Sequence, residues 1–196
     1  MAHMFIETAE TPNPHSLKFL PGQPVLGAGA MGLDFPTPGT AKPSPLATAL
    51  FDVDGVTGVY LGADFVTVTK DEGAAWHDLK PALLGTIADY LAAGIPVVDT
   101  GVMDAPPAGG PEDYKGEDRE VVEQIVELLD TRVRPAVAQD GGDITFHRYE
   151  PGDGIVYLAL RGACAGCPSS TMTLKAGIEN LLKHYVPEVN AVEAVA

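Results

Sequence analysis

Both cysteines of this 196-residue chain lie in one short stretch, Cys164 and Cys167, which are separated by an alanine and a glycine and followed by Pro168. Two thiols at this C-x-x-C spacing can bind one edge of a metal site or form a redox-active disulfide. A third alternative is simple packing, since a free thiol also behaves as a small apolar group. The glycines and proline around the pair are typical of a loop, and this favours a functional role for the thiols.

The elements that position the pair are a strand before it and a helix after it. Residues 144–149 alternate between apolar and polar types and lead through the turn at 151–154 into the apolar stretch 155–160, which predicts a strand hairpin that the cysteine pair follows directly. Ser169 and Ser170 are candidate caps for a helix that ends before Pro187, and residues 189–195 can add an edge strand. Because backbone N–H groups in the first turn of such a helix point towards the sulfurs, we predict lowered thiol pKa values.

A further helix is predicted upstream of this hairpin. Asp118 is its candidate cap, apolar residues recur at helical spacing over 121–133, and Pro135 reshapes its end. The residues 140–143, with the sequence DGGD, are typical of a turn. Together these elements predict an α-β-β-α-β domain at residues 117–196.

The N-terminal part of the sequence predicts a second α+β domain, at residues 4–98. A strand hairpin over residues 5–20, in which Phe5, Leu17 and Phe19 are expected in the core, precedes an irregular loop over 21–45. Ser44 caps a short helix over 46–51, strands follow at 56–61 and 65–70, and an amphipathic helix spans 79–91. Residues 99–116, rich in proline, glycine and acidic residues, are predicted to form a flexible linker between two small α+β domains.

Charge and composition exclude several function classes. The chain has 12 basic and 27 acidic residues and a net charge of -15, so it repels nucleic-acid backbones and anionic membrane surfaces. It contains no apolar run long enough to cross a membrane and no recognisable leader pattern. We therefore expect no nucleic-acid partner and no membrane association. With two cysteines, the expected location is a reducing bacterial cytoplasm, or the mitochondrial matrix if this is a processed eukaryotic chain.

Two alternative functions stay open for the cysteine pair, a redox-active disulfide and a structural zinc site. A thiol-disulfide oxidoreductase of thioredoxin type shares the order strand, C-x-x-C, helix, although here a hairpin and not a βαβ unit precedes the pair. A structural zinc site needs four ligands, and the chain has no H-x3-5-H pair beside the cysteines. Zinc could still be held by four thiolates, two from each of two chains.

The function that we favour for the cysteine pair is binding of an iron-sulfur cluster. Its ordinary ligand set is four thiolates, of which one chain supplies two, Cys164 and Cys167. Unless an external thiol completes the set, two copies must face each other across the cluster. Since separating the two copies removes two of four bonds at once, this geometry favours a carrier or scaffold that releases its cluster.

The motifs also resemble those of a known family. The sequence CAGCPSSTMTLKAGIE at residues 164–179 looks like the signature of the NifU C-terminal (Nfu) domain, and DGGD at 140–143 is similar to the same family's first-helix exit. In the N-terminal half, TPNP at 11–14, LKF at 17–19 and DGVTGV at 54–59 resemble the Nfu N-terminal domain.

This resemblance implies an iron-sulfur assembly protein and not an enzyme. It implies that Cys164 and Cys167 hold a [4Fe-4S] cluster between two protomers of a homodimer, with [2Fe-2S] as the other cluster type. The implied partners are upstream assembly machinery and apo iron-sulfur proteins that receive the cluster. For the N-terminal domain, which contains no metal-ligand motif, it suggests partner contact or regulation.

Overall fold

The structure is a computed structural model that describes residues 5–99, 110–165 and 168–195. The chain divides into two compact units, residues 1–105 and 106–196. Each combines an antiparallel or mixed sheet with helices, so the predicted α+β class is confirmed.

The first unit is built on an antiparallel sheet. Its strands are β1 (Glu7–Glu10), β2 (Ser16–Leu20), β3 (Leu33–Phe35), β4 (Val56–Leu61) and β5 (Val66–Lys70). Their order in the sheet is β1-β2-β5-β4-β3. The two predicted hairpins are present. The prediction of a fully irregular loop over 21–45 is wrong, because β3 lies within it and pairs with β4 at one edge of the sheet.

Two helices cover this sheet, α1 (Pro45–Phe51) and α2 (Trp76–Ala93). The predicted cap of α1 is confirmed: the Ser44 hydroxyl accepts a hydrogen bond of 3.0 Å from the Ala47 N–H. Leu17 and Phe19 are buried as predicted. Phe5 was expected in the core, but its side chain is 83% exposed because the edge strand begins only at Glu7.

The second unit contains a three-stranded sheet and helices. Its elements are α3 (Glu117–Leu128), α4 (Arg134–Gln139), β6 (Gly142–Glu150), β7 (Ile155–Gly162), α5 (Pro168–Tyr185) and β8 (Ala191–Val195). The strand order is β6-β7-β8. Strand β7 lies in the middle, antiparallel to β6 and parallel to β8. Apolar residues of α3, α4 and α5 form one core with β6 and β7, so the helices stabilise the strand that leads to the cysteine loop.

Several predicted boundaries of this unit are corrected. Helix α3 begins at Glu117, after Gly116 in a left-handed conformation (φ +61°), so Asp118 is not its cap. The predicted reshaping before Pro135 is a π-helical turn, Leu129–Val133, that connects α3 to α4. Helix α5 begins at Pro168, which places Ser169 and Ser170 inside the helix.

The stretch predicted as a linker contributes at both ends to the unit beside it. The Asp99 N–H donates to the Pro43 carbonyl at 2.8 Å in the first unit. In the second unit, the Tyr114 hydroxyl donates to the Tyr149 carbonyl at 2.9 Å and accepts from the Tyr149 N–H at 2.7 Å. Within the described residues, no helix is both long and apolar enough to span a membrane.

Candidate metal centre

Cys164 lies two residues beyond the end of β7 and four residues before the start of α5. Its side chain is buried, with 7% of the residue exposed, and it contacts the core of the second unit. Cys167, the other predicted ligand, lies outside the described residues, as does Gly166. The structure therefore gives the surroundings of one of the two predicted ligands.

Tight turns fix the backbone of the Cys164 loop. The Cys164 N–H donates to the Arg161 carbonyl at 3.3 Å, and the Ala165 N–H donates to the Gly162 carbonyl at 3.0 Å. Gly162 has φ +60°, a left-handed conformation that glycine adopts at little cost. The strand can thus turn sharply at its end and direct Cys164 back towards the sheet.

Contacts from the neighbouring elements fix the same loop from two sides. The Ala163 N–H donates to the Gly141 carbonyl at 3.2 Å, which ties the loop to the entry of β6. The Thr171 hydroxyl donates to the Cys164 carbonyl at 3.2 Å, which ties it to the first turns of α5. Cys164 is therefore held between β6, β7 and α5.

Gly142 provides the space that the Cys164 sulfur occupies. A methyl group built on Gly142 would lie 2.4 Å from Cys164 Sγ and 2.9 Å from the Arg161 carbonyl oxygen. Such distances are far below van der Waals contact, so a side chain at this position would displace the thiol or the β6-β7 pairing. Gly142, interpreted from the sequence only as part of a turn, is the first residue of β6 and pairs with Gly162.

Electrostatics around Cys164 favour the protonated thiol. Burial raises the pKa of the Cys164 thiol to about 12, and the nearby carboxylates of Asp140 and Asp143 contribute to this increase. The predicted lowering of the thiol pKa is therefore wrong for Cys164, because desolvation and negative neighbours determine its pKa. A thiol of this kind is a poor nucleophile at neutral pH, and a metal or cluster that binds it must displace its proton.

An ion pair between Arg134 and Asp143 joins α4 to β6 next to Gly142. Both carboxylate oxygens of Asp143 accept hydrogen bonds from Arg134, from Nε at 2.9 Å and from Nη2 at 3.0 Å. Arg134 also pairs with Asp130 at 3.0 Å, and the pKa of Arg134 is raised chiefly by its hydrogen bond to Asp143. Asp143, interpreted from sequence as a turn former, thus joins α4 to the strand that carries Gly142.

No group of three or more His, Cys, Asp or Glu side chains in the described part of the chain is arranged to hold a metal ion. The described residues therefore contain no complete metal site within one protomer. In the second unit, Cys164 lies after the end of β7, with its sulfur in the space beside Gly142.

Comparison with known proteins assigns both units. The family model described as "NifU-like domain" matches residues 125–193, and the model "Scaffold protein Nfu/NifU N terminal" matches residues 6–94. The first match contains the whole C-x-x-C motif, and the second covers all of the strands β1 to β5 and both helices of the first unit.

Relatives cover both units together. A Homo sapiens protein, "NFU1 iron-sulfur cluster scaffold homolog, mitochondrial", is 52% identical over 194 residues, which are 98% of this chain and 72% of the relative. The protein of the same name from Drosophila sechellia is 52% identical over 192 residues. That match covers 98% of this chain and 65% of the relative, so the chain spans about two thirds of the length of its Drosophila relatives.

A solved structure of a NifU-like protein from Saccharomyces cerevisiae is 29% identical to this chain. The aligned residues cover 50% of this chain and 86% of the yeast chain, with a TM-score of 0.46. On the family models and on the human relative, the chain belongs to the Nfu family of NifU-like proteins.

Proposed function

We propose that this protein carries an iron-sulfur cluster as cargo, bound through Cys164 and Cys167, and delivers it to apo-proteins. The observation that supports this most strongly is the setting of Cys164: the chain's two cysteines are three positions apart in the sequence of a NifU-like domain, and Gly142 leaves space for the Cys164 sulfur. The relatives are named as iron-sulfur cluster scaffolds, which supports the same function.

The ligand count supports a homodimer as the loaded form. A [4Fe-4S] cluster is ordinarily held by four cysteine thiolates, and this chain contains two. Two protomers that face each other with their Cys164 loops complete the set. Each protomer then contributes half the bonds, so dissociation of the dimer releases the cluster to a recipient.

In this proposal the protein performs no reaction of its own, and its partners are the assembly machinery that supplies the cluster and the apo-proteins that receive it. The N-terminal unit, which contains no cysteine, contacts partners. The names of the relatives support a mitochondrial location for a eukaryotic chain, for which we propose the matrix, and a bacterial chain would work in the cytoplasm.

Substitution of each cysteine tests the proposal. After anaerobic incubation with iron and sulfide, we expect Cys164→Ser and Cys167→Ser to lose the visible absorption of the cluster and the dimer together. Ala165→Ser is the matched control, because it introduces the same side chain into the same loop and keeps both thiols. Loaded wild-type protein should also activate an apo [4Fe-4S] enzyme in the presence of an iron chelator.

Two results would contradict the proposal. The first is a Cys164→Ser variant that binds as much cluster as Ala165→Ser. The second is a wild-type protein that takes up zinc and no iron, which would favour the structural zinc dimer. Turnover of a disulfide substrate with a dithiol reductant would instead favour the oxidoreductase.

A further inference from the structure

We infer that the outer face of helix α5 is the surface on which a second copy of this chain docks, with Met172 at the end of that face nearest to the cysteine pair. The α5 outer face is defined as the exposed residues between positions 172 and 180, which are Met172, Thr173, Ala176, Gly177 and Asn180. The inference rests on the proposed function, because the second copy is required by a cluster that needs four thiolates. It assigns a contact surface to that dimer.

Met172 is the first observation that supports this surface. Its side chain is 72% exposed, and in the described part of the second unit the only other exposed large apolar residue is Tyr185. Tyr185 contacts Arg132 through a hydrogen bond of 3.0 Å and a stacked guanidinium, whereas no such contact is found for Met172. An exposed methionine beside a functional loop is typical of a contact surface.

The position of Met172 places it close to the cluster-binding loop. Helix α5 begins at Pro168, directly after Cys167, and Met172 is four residues further on. At 1.5 Å per residue, this is about 6 Å along the helix axis. Any protomer that shares a cluster bound by Cys164 and Cys167 must therefore approach this end of α5.

The charge distribution is the second observation, and it supports another copy of the chain as the occupant. Each protomer has a net charge of -15, so two copies repel each other over most of their surfaces. The α5 outer face contains no charged residue over its five positions, and Ala176 and Gly177 allow a facing backbone to approach closely. A surface without charge is where two acidic copies can meet at the lowest electrostatic cost.

The charged residues that flank this face are already paired within the protomer. Lys175 Nζ lies 2.8 Å from Glu193 Oε2, and Lys183 Nζ lies 2.6 Å from Glu179 Oε1. A second copy therefore meets a rim whose charges are balanced. In a two-fold dimer the same residues are used by both protomers, so each substitution acts twice.

Met172→Asp tests the inference in the full-length chain. Dimer formation is measured by analytical ultracentrifugation over a range of concentrations after anaerobic loading with iron and sulfide, and iron is measured in the same samples. We expect Met172→Asp to raise the concentration for half-dimerisation by roughly tenfold or more, because two carboxylates are brought together. Met172→Leu, which keeps the apolar side chain, should stay within about twofold of wild type.

Gln124→Asp is the matched control, since Gln124 is exposed on α3 and the change adds the same charge to the same unit. Met172→Gln adds no charge, so it separates the loss of an apolar contact from an effect of aspartate on helix stability. Thermal unfolding of each variant measures that stability. A Met172→Asp protein that dimerises like Gln124→Asp would overturn the inference and leave the proposed function intact. A wild-type protein that binds no cluster would overturn the proposed function itself.

Discussion

Replacing Gly142 by alanine should displace the Cys164 sulfur and strain the β6-β7 hairpin. The added carbon would lie 2.4 Å from Cys164 Sγ, 2.9 Å from the Arg161 carbonyl oxygen and 3.1 Å from the Cys164 nitrogen. Since ordinary contacts between such atoms begin near about 3.5 Å, the sulfur must move by about 1 Å. The Arg161 contact is with backbone in the β6-β7 hairpin and cannot be relieved by a side-chain rotation.

The magnitude follows from the cost of overpacking a buried position. Such insertions destabilise a domain by about 1–3 kcal/mol, and in a domain of this size this corresponds to a fall in melting temperature of roughly 5–20 °C. We also expect Gly142→Ala to lose cluster binding, because the Cys164 sulfur is displaced. Both quantities are measured on one preparation, by calorimetry of the apo-protein and by iron analysis after anaerobic loading.

Gly152→Ala is the matched control for this prediction. Gly152 lies in the turn of the same hairpin, and a methyl group there would meet nothing within 4 Å. A double variant, Gly142→Ala with Cys164→Ala, should recover part of the lost stability, because it removes the sulfur but keeps the clash with the Arg161 carbonyl. If Gly142→Ala matches Gly152→Ala in melting temperature and in iron content, our reasoning about the Cys164 pocket is wrong.

Two further predictions concern the charges around this pocket. Arg134→Gln should lower the free energy of unfolding by about 2 kcal/mol or more, since it leaves the buried Asp143 carboxylate without its partner. Asp130→Asn should lower it far less, because the Asp130 carboxylate is half exposed. Urea unfolding measures both changes, and equal losses would contradict the prediction. In a Cys167→Ser background, alkylation of Cys164 by iodoacetamide should be slow at pH 8 and increase towards a midpoint near pH 12, whereas in urea the midpoint should fall near the ordinary value of 9.0. Because folding raises this pKa, the thiol contributes stability below about pH 9 that is lost as the pH rises towards 12, and a folded midpoint at or below 9 would contradict the assignment.

Local patterns in the sequence were sufficient for most of the fold. Ser44 before Pro45 predicted the cap and start of α1, and the apolar spacing over 79–91 predicted most of α2. Strand β3 was missed because three residues are too few to show an alternating pattern, and its pairing with β4 depends on residues about 25 positions away. Phe5 was misplaced because an apolar residue at a chain end carries no information on whether the sheet extends to it.

The candidate site was predictable in its chemistry but not in its surroundings. The spacing of Cys164 and Cys167 is enough to indicate a metal or redox function. The role of Gly142 was not predictable, because its neighbour Cys164 is 22 residues away and the two meet only through β6-β7 pairing. The sign of the pKa change was wrong for Cys164, since the sequence pattern indicated a helix N-terminus but gave no measure of burial or of the proximity of Asp143.

Iron and acid-labile sulfide per chain, measured on protein separated by size after anaerobic reconstitution, test the central claim most directly. We predict about two irons and two sulfides per chain, confined to the dimer peak, because one [4Fe-4S] cluster is shared by two pairs of thiolates. An iron-free monomer, or a dimer that contains zinc in place of iron, would contradict the claim that this protein carries an iron-sulfur cluster.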